Sequence, residues 1–187
     1  DCITWTLQSL PGMGYPTRVV WGNDKFIIVT DNAAWWTSPT GFVWTSQVAP
    51  GAGLGLVGWG YARSLVWSGD LWVTFTHFGA HQTVLTSPSG YAGTWTTRGT
   101  LSIGSNYNEI AINNDGVLCT ASGGGTGVYV SPDGISWSHY ALPKLINSIA
   151  SDGHVFLATD QTNYYISTDG ATWTTQAMPF TGTTWRG

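Results

Sequence analysis

Short apolar runs bounded by turn residues recur along the whole chain. Runs such as Phe26–Val29 and Val155–Ala158 are continuously apolar rather than alternating, which is typical of strands that are covered on both faces. Turn residues such as Asn23-Asp24 separate consecutive runs. The pattern therefore predicts an all-β protein of short strands joined by tight turns.

One phrase recurs within this pattern. Its clearest copies are Ser131–Trp137 (Ser-Pro-Asp-Gly-Ile-Ser-Trp) and Ser167–Trp173 (Ser-Thr-Asp-Gly-Ala-Thr-Trp), with weaker copies at Ser38–Trp44 and Ser87–Trp95. Residues 1–5 match the end of the phrase. The equivalent tryptophans, spaced by 39, 51, 42 and 36 residues, are Trp5, Trp44, Trp95, Trp137 and Trp173. A period near 40 in a strand-rich chain predicts the blades of a β-propeller.

Each period is expected to hold four strands. They are predicted at 18–22, 25–30, 33–38 and 42–47; at 64–68, 71–76, 83–87 and 94–97; at 109–113, 117–121, 127–131 and 136–140; and at 147–151, 155–159, 163–167 and 172–176. We therefore expect one all-β domain over residues 1–187, a β-propeller with four complete four-stranded blades at about 18–48, 62–98, 107–140 and 146–177.

The chain ends are predicted to add one lone strand each, at 2–6 and at 182–187. These terminal strands either pair as a reduced fifth blade, add to a neighbouring subunit, or belong to a longer propeller. An open strand edge invites association, so self-assembly or embedding in a particle is expected.

The Asp-Gly pairs of the phrase have a structural explanation. The carboxylates of Asp133 and Asp169 can accept hydrogen bonds from backbone N–H groups of the turn, while Gly134 and Gly170 can take positive φ. The tryptophans are expected to open the fourth strands and to pack against the neighbouring blade, since one indole buries on the order of 200 Å².

The amino-acid composition also indicates a folded protein rich in strands. The chain has 25 Gly and 12 Trp, and it is 42% hydrophobic but only 9% charged, which favours a folded strand-rich domain. Cys2 and Cys119 form no CxxC motif, so buried free thiols are favoured over a disulfide.

The charge pattern excludes some partners. Six basic and ten acidic residues give a net charge of -4, and the basic residues are scattered, which argues against nucleic-acid binding. No apolar run approaches the roughly 18–20 residues that span a bilayer, and the chain does not begin with a basic segment followed by an apolar one. We expect a soluble, mature or excised protein that is not inserted in a membrane.

The turn phrase resembles the Asp-box (BNR) repeat of sialidase-like β-propellers, Ser-x-Asp-x-Gly-x-Thr-Trp, with one residue fewer between Asp and Gly. The longer phrase, Trp-Gly-Asn-Asp-Lys-Phe-Ile-Ile-Val at 21–29 followed by Thr-Ser-Pro-x-Gly-x-x-Trp, is similar to propeller repeats of bacteriophage tail and fibre proteins and of some bacterial surface proteins. The resemblance implies a β-propeller in a virion or extracellular location.

The first strand of each blade is expected to line the central channel. The four first strands can be aligned on Trp21, Trp67, Ile112 and Ala150. The residues then found at equivalent positions are Arg18, Ser64, Glu109 and Asn147, with Arg63 beside Ser64. A sialidase would need three arginines on the substrate carboxylate, a Tyr nucleophile with a Glu partner, and an acidic proton donor. Tyr107 lies near Glu109, but Arg98 is expected at an outer edge and Arg186 in the unfinished terminus.

A Gly-rich loop at 49–62 supplies the other candidate site, because it makes the second period the longest and carries Trp59 and Tyr61. Long loops on a rigid scaffold commonly bind ligands, and aromatic faces suit the C–H surfaces of sugars. The candidate ligand-binding residues are Trp59, Tyr61, Arg18, Arg63, Glu109 and Asn147. No catalytic residue, metal ligand or cofactor is predicted.

Three functional hypotheses follow. The first is a non-enzymatic β-propeller of a virion or extracellular assembly, such as a phage tail, fibre or decoration protein, that is structural or recognises a host-surface glycan. Its partners would be copies of itself, other virion or surface proteins, and a glycan. The alternative is a free carbohydrate-binding lectin, and the third hypothesis is a sialidase-like glycosidase.

Overall fold

The computed structural model describes Leu7 and residues 15–30, 34–48, 64–78, 81–102, 109–121 and 125–179, without the side chains of 76–78 and 81. The strands in this part of the chain are β1 (Pro16–Gly22), β2 (Lys25–Thr30), β3 (Trp35–Ser38), β4 (Thr45–Gln47), β5 (Leu65–Trp67), β6 (Trp72–Phe78), β7 (His81–Ser87), β8 (Thr96–Leu101), β9 (Ile110–Ile112), β10 (Leu118–Ala121), β11 (Thr126–Ser131), β12 (Ser138–Leu145), β13 (Ser148–Ser151), β14 (Phe156–Thr159), β15 (Asn163–Ser167) and β16 (Thr174–Ala177).

These strands form four antiparallel sheets of four strands each, and within each sheet the strands follow chain order. The sheets, blades 1 to 4, are arranged as a four-bladed β-propeller whose innermost strands β1, β5, β9 and β13 contact one another in sequence. The predicted all-β propeller with four complete blades is therefore confirmed. The terminal strands predicted at 2–6 and 182–187 lie outside the described residues, as does Cys2, while Cys119 is a buried free cysteine.

Side chains of each strand alternate between the two faces of a blade, and in blades 2 and 3 both faces are covered by the neighbouring blades. We call the side toward the preceding blade the leading face and the side toward the following blade the trailing face. In blade 2, Leu65 and Trp72 lie on the leading face and Val66 and Val73 on the trailing face. Apolar clusters fill the space between blades 1 and 2, 2 and 3, and 3 and 4.

The repeat tryptophans lie immediately before the fourth strands rather than opening them, which corrects the predicted starts of β4, β8, β12 and β16. The fourth strand begins only after the tryptophan because the indole is hydrogen-bonded to the preceding turn. Trp137 Nε1 donates to the carbonyl oxygen of Gly134 at 3.3 Å, and Trp173 Nε1 donates to that of Gly170 at 2.7 Å. The ring of Trp137 then packs edge-on against Phe75 of blade 2, at 5.3 Å between ring centroids. The tryptophan therefore joins its own turn to the preceding blade.

The Asp-Gly turn is held by two side chains. Asp133 Oδ1 accepts hydrogen bonds from the backbone N of Ile135 (2.8 Å) and Ser136 (2.7 Å), and Ser131 Oγ accepts one from Gly134 N (2.8 Å). Asp169 and Ser167 make the same contacts in blade 4. Local hydrogen bonds of this kind explain why the phrase is repeated in the sequence.

Gly134 allows the turn to approach blade 2. Its φ is +74°, and a Cβ there would lie 2.7 Å from Val73 Cγ2. Gly134→Ala is expected to lower the free energy of unfolding by about 2–3 kcal/mol, because backbone strain and overpacking add. Gly93→Ala is the matched control, since Gly93 has φ +79° with nothing within 4 Å, and should cost about 1 kcal/mol. Urea denaturation measures both, and equal losses would show that the approach to Val73 is unimportant.

Candidate functional site

Strand pairing sets the equivalence of the innermost strands. Trp21, Trp67, Ile112 and Ser151 are equivalent because each pairs with the corresponding residue of the second strand: Phe26, Trp72, Leu118 and Phe156. Three residues before them lie Arg18, Ser64, Glu109 and Ser148. We call these four residues the axial rim.

The axial rim corrects one predicted equivalence. Ser148, not Asn147, stands at the position of Arg18, Ser64 and Glu109. Asn147 precedes β13, is exposed, and donates its backbone N–H to the carbonyl oxygen of Thr159 at 2.8 Å. The sequence pattern predicts that the apolar Ala150 is equivalent to Trp21, but the strand pairing shows that the polar Ser151 is the equivalent residue.

Glu109 joins blades 3 and 4 at the axial rim. Its Oε2 accepts hydrogen bonds from Ser148 Oγ at 2.5 Å and from the backbone N of Ile149 at 3.2 Å. Ser148 is exposed and Glu109 is partly buried. The carboxylate is thus held in one orientation at an accessible surface.

Arg18 brings the opposite charge from blade 1. Burial lowers the pKa of its guanidinium, and the negative charge of Glu109 acts in the opposite direction. An arginine remains protonated at neutral pH despite such a shift. At the axial rim, the Glu109 carboxylate of blade 3 is therefore hydrogen-bonded to the Ser148 hydroxyl of blade 4 and interacts electrostatically with the Arg18 guanidinium of blade 1.

Ser64 does not contribute to the accessible part of the axial rim. Its side chain is buried, its Oγ accepts a hydrogen bond from Phe75 N at 3.1 Å, and its carbonyl oxygen accepts one from Thr74 Oγ1. These contacts tie β5 to β6. Ser64 therefore stabilises the contact between β5 and β6 and is not available to a ligand at the axial rim.

The other predicted binding residues fall elsewhere. Trp59, Tyr61 and Arg63 lie outside the described residues, and their roles stay predictions. Arg98 lies in β8, the outermost strand of blade 2, where its Nε donates to Thr86 Oγ1 at 2.7 Å. Its position is remote from the innermost strands.

A polar network around Asp160 was not predicted, because the segment 160–163 is not part of the repeated phrase. Asp160 Oδ1 accepts hydrogen bonds from the backbone N atoms of Thr162 (2.5 Å) and Asn163 (2.7 Å), and Oδ2 accepts one from Tyr165 Oη (2.6 Å). Burial opposes ionisation, but the bonds from Tyr165, Asn163 and Thr162 hold the pKa of Asp160 far below its usual value. Burial and the bond to Asp160 raise the pKa of Tyr165 to about 12.

Within the described residues, no group of three or more His, Cys, Asp or Glu side chains is arranged to hold a metal ion. The same residues include no helix with the length and apolar character needed to cross a membrane.

Comparison with known proteins gives one family match and several structural matches. A family model described as the DUF6242 beta propeller domain matches residues 38–177. No curated protein sequence matches the chain. A catalytically inactive virginiamycin B lyase from Staphylococcus aureus with quinupristin is similar in structure, with TM-score 0.72, 9% identity, and coverage of 91% of this chain and 58% of the other.

Two further solved structures share the fold. YCF48 from Cyanidioschyzon merolae has TM-score 0.61 and 18% identity over 91% of this chain and 61% of its own. A nidogen/laminin complex has TM-score 0.65 and 11% identity, with 90% and 65% covered. This chain therefore spans less than two thirds of the length of each of these three structures, and at such low identity the likeness concerns the fold alone.

Proposed function

We propose that this chain, which belongs to the DUF6242 β-propeller domain family, is a non-enzymatic propeller that recognises a surface glycan as part of a virion or other extracellular assembly. The observation that carries the proposal is the axial rim, where the hydrogen-bonded pair Glu109 and Ser148 joins blades 3 and 4 and the charge of Glu109 acts on Arg18 of blade 1.

The chemistry of the axial rim suits a sugar. A fixed carboxylate accepts hydrogen bonds from hydroxyl groups, a guanidinium donates to hydroxyl or carboxylate oxygens, and a serine hydroxyl does both. Since Glu109 is already oriented by Ser148 and Ile149, little side-chain order has to be gained on binding.

The aspartates of the Asp-Gly turns do not suit the role of the proton donor in a glycosidase. A glycosidase needs one carboxyl group that retains its proton near neutral pH. Burial raises the pKa of Asp133, but hydrogen bonds from Ser136, Ile135 and Ser131 outweigh it and lower the pKa below its ordinary value. The backbone of Thr172 contributes most to the lowered pKa of Asp169. These aspartates serve as ionised acceptors in turns, and Glu109 is the only glutamate of the sequence.

The assembly role and the location rest on the likeness of the repeated turns to those of phage tail and fibre proteins and of bacterial surface proteins. A free carbohydrate-binding lectin is the alternative. It would bind sugar in the same way at the axial rim but would be found alone, whereas the proposed module is found attached to particles or cell surfaces. Immunolocalisation in the producing culture separates the two.

The first test is a glycan array followed by calorimetry on the best ligand. Arg18→Gln is expected to weaken binding at least about tenfold, because a hydrogen bond from a charged group contributes about 1.5–3 kcal/mol. The matched control is Arg98→Gln, which changes the net charge equally but lies on the outermost strand of blade 2. It should leave the affinity unchanged. No glycan bound, or equal affinities for Arg18→Gln and the wild type, would contradict the proposal.

A second measurement tests the absence of hydrolysis. Wild-type protein and Glu109→Gln are incubated with cleavable aryl glycosides, including a sialoside, and neither is expected to release the aryl group. Release by the wild type that Glu109→Gln abolishes would replace the proposed binding role with a glycosidase.

A further inference from the structure

The contact between blades 3 and 4 at the axial rim leaves hydrogen-bond acceptors rather than donors for a ligand. Ser148 Oγ donates its proton to Glu109 Oε2 at 2.5 Å, and the backbone N of Ile149 donates to the same oxygen at 3.2 Å. A serine hydroxyl has a single proton, so Ser148 Oγ can only accept further hydrogen bonds. Both bonds to the carboxylate end at Oε2. They leave Oε1 of Glu109 and Oγ of Ser148 as neighbouring acceptors, and Ser148 is exposed.

The Glu109 acceptor is fixed at its backbone as well as at its carboxylate. Its carbonyl oxygen accepts a hydrogen bond from Thr120 Oγ1 of β10 at 2.8 Å, and Thr120 is fully buried. The carboxylate is held by Ser148 and Ile149 of blade 4. Glu109 therefore cannot turn away from an unfavourable ligand without losing contacts that join the two blades.

The charges of the axial rim balance each other. Arg18 of blade 1 carries one positive charge, Glu109 carries one negative charge, and Ser64 and Ser148 are neutral. The two charged side chains interact: burial lowers the pKa of the Arg18 guanidinium, and the negative charge of Glu109 acts to raise it. An anionic ligand that is attracted by Arg18 is therefore repelled by Glu109, and the two effects offset each other.

We propose that the axial rim binds neutral sugars with adjacent hydroxyl groups in preference to sugars that carry a carboxylate. This selectivity presupposes the glycan recognition proposed above and assigns the ligand class of that site. Adjacent sugar hydroxyls can donate to Glu109 Oε1 and Ser148 Oγ, and their oxygens can accept from Arg18. A carboxylate has no proton to donate, and it would lose hydration beside a fixed carboxylate of the same charge.

The arginines of the described residues agree with this ligand class. A site for the carboxylate of a sialic or uronic acid gains from several guanidinium groups, because each donates charge-assisted hydrogen bonds. The axial rim has only Arg18, and its charge is offset by Glu109. Arg98, the other arginine in the described part of the chain, lies on the outermost strand of blade 2 and donates to Thr86.

Pairs of sugars that differ only in charge test the selectivity. The probes are oligosaccharides of glucose, galactose and mannose and the same oligosaccharides oxidised at C6 to uronic acids. Isothermal titration calorimetry measures the dissociation constant of each. We expect the best-bound neutral oligosaccharide to bind at least about tenfold more tightly than its oxidised form, because like charges placed side by side are unfavourable.

Glu109→Gln tests the source of this preference. The substitution removes the negative charge while keeping the shape of the side chain, and the new amide can donate to a carboxylate. The neutral form should bind more weakly and the oxidised form more tightly, so that the preference is lost. Asp152→Asn is the matched control, since it removes one exposed negative charge just beyond the end of β13 that is remote from Ser148. Its preference should equal that of the wild type.

Ser148→Ala separates the loss of an acceptor from the loss of charge. It removes the hydroxyl but leaves Glu109 bonded to the backbone of Ile149. Neutral sugars should bind about threefold to tenfold more weakly, which corresponds to one neutral hydrogen bond, while the preference over the oxidised form is kept. Circular dichroism checks that each variant is folded.

Three results would overturn this assignment, and they separate it from the proposed function. If neither form of any oligosaccharide is bound, both the glycan recognition and the selectivity are wrong. If an oxidised form is bound as tightly as its neutral counterpart or more tightly, glycan recognition stands and the assigned ligand class is wrong. If Glu109→Gln keeps the wild-type preference, the Glu109 carboxylate is not its source.

Discussion

Trp72→Ala is expected to lower the free energy of unfolding by about 3–5 kcal/mol, which is typical of removing a large buried aromatic side chain. Trp72 is fully buried between blades 1 and 2, and the centroid of its ring lies 5.3 Å from the ring centroid of Trp67. The substitution would leave a cavity against Ile27 and the Gly90 turn. Guanidinium denaturation followed by far-ultraviolet circular dichroism measures the loss.

Trp72→Phe is the matched variant. The indole Nε1 of Trp72 is buried, with no hydrogen-bond partner among the described residues. Phenylalanine removes this unsatisfied donor while keeping an aromatic ring, so the expected loss is only about 1–2 kcal/mol. If both variants lose the same stability, the volume of the ring is not what stabilises this interface.

Asp160→Ala is expected to cost about 2–4 kcal/mol, because it removes an ionised acceptor that several donors share. The hydroxyl of Tyr165, which donates to Asp160 Oδ2 inside blade 4, would be left buried without its partner. The control is Asp152→Asn, since Asp152 is exposed and, among the described residues, accepts hydrogen bonds from the backbone N–H groups of His154 and Val155. Its effect in the same denaturation assay should be clearly smaller, and a comparable loss would contradict the role of the buried network.

The Asp160 network also predicts a pH dependence. The folded-state pKa of Asp160 lies far below the unfolded value of about 3.9, so the folded state favours the ionised form. The contribution to stability is fully present above that unfolded pKa and is lost as the pH falls from about 4 through the lower folded pKa. The stability difference between the wild type and Asp160→Ala should therefore shrink on acidification in this range. A difference that stays constant down to acid unfolding would argue against an ionised Asp160.

Strand positions were predictable because they depend on local patterns. The strands Lys25–Thr30 and Asn163–Ser167 have the predicted bounds, since apolar runs end at turn residues on both sides. The fourth strands begin later than predicted, at Thr45, Thr96 and the equivalent residues. Apolar residues such as Phe42 fit a strand pattern, but their backbone belongs to the turn that the tryptophan closes.

The candidate site was predictable in part. Arg18 and Glu109 follow from aligning the repeats, because equivalent positions on the innermost strands lie at one end of the propeller. Ser148 was missed because its alignment relied on apolar character, whereas backbone pairing sets the register. No sequence signal marks Asp160, since its network depends on Tyr165 being buried against blade 3.

By itself, the sequence determined the blade as a unit: four strands, the Asp-Gly turn and the tryptophan, all of which depend on hydrogen bonds and alternation within about 40 residues. Only the tertiary structure decided which apolar faces are covered. Cys119 and Leu157 are equivalent in the repeat, yet the first is buried and the second is exposed, because blade 4 packs against the first and the described chain places nothing comparable against the second. Burial depends on the neighbouring blade, and a local pattern does not contain that neighbour.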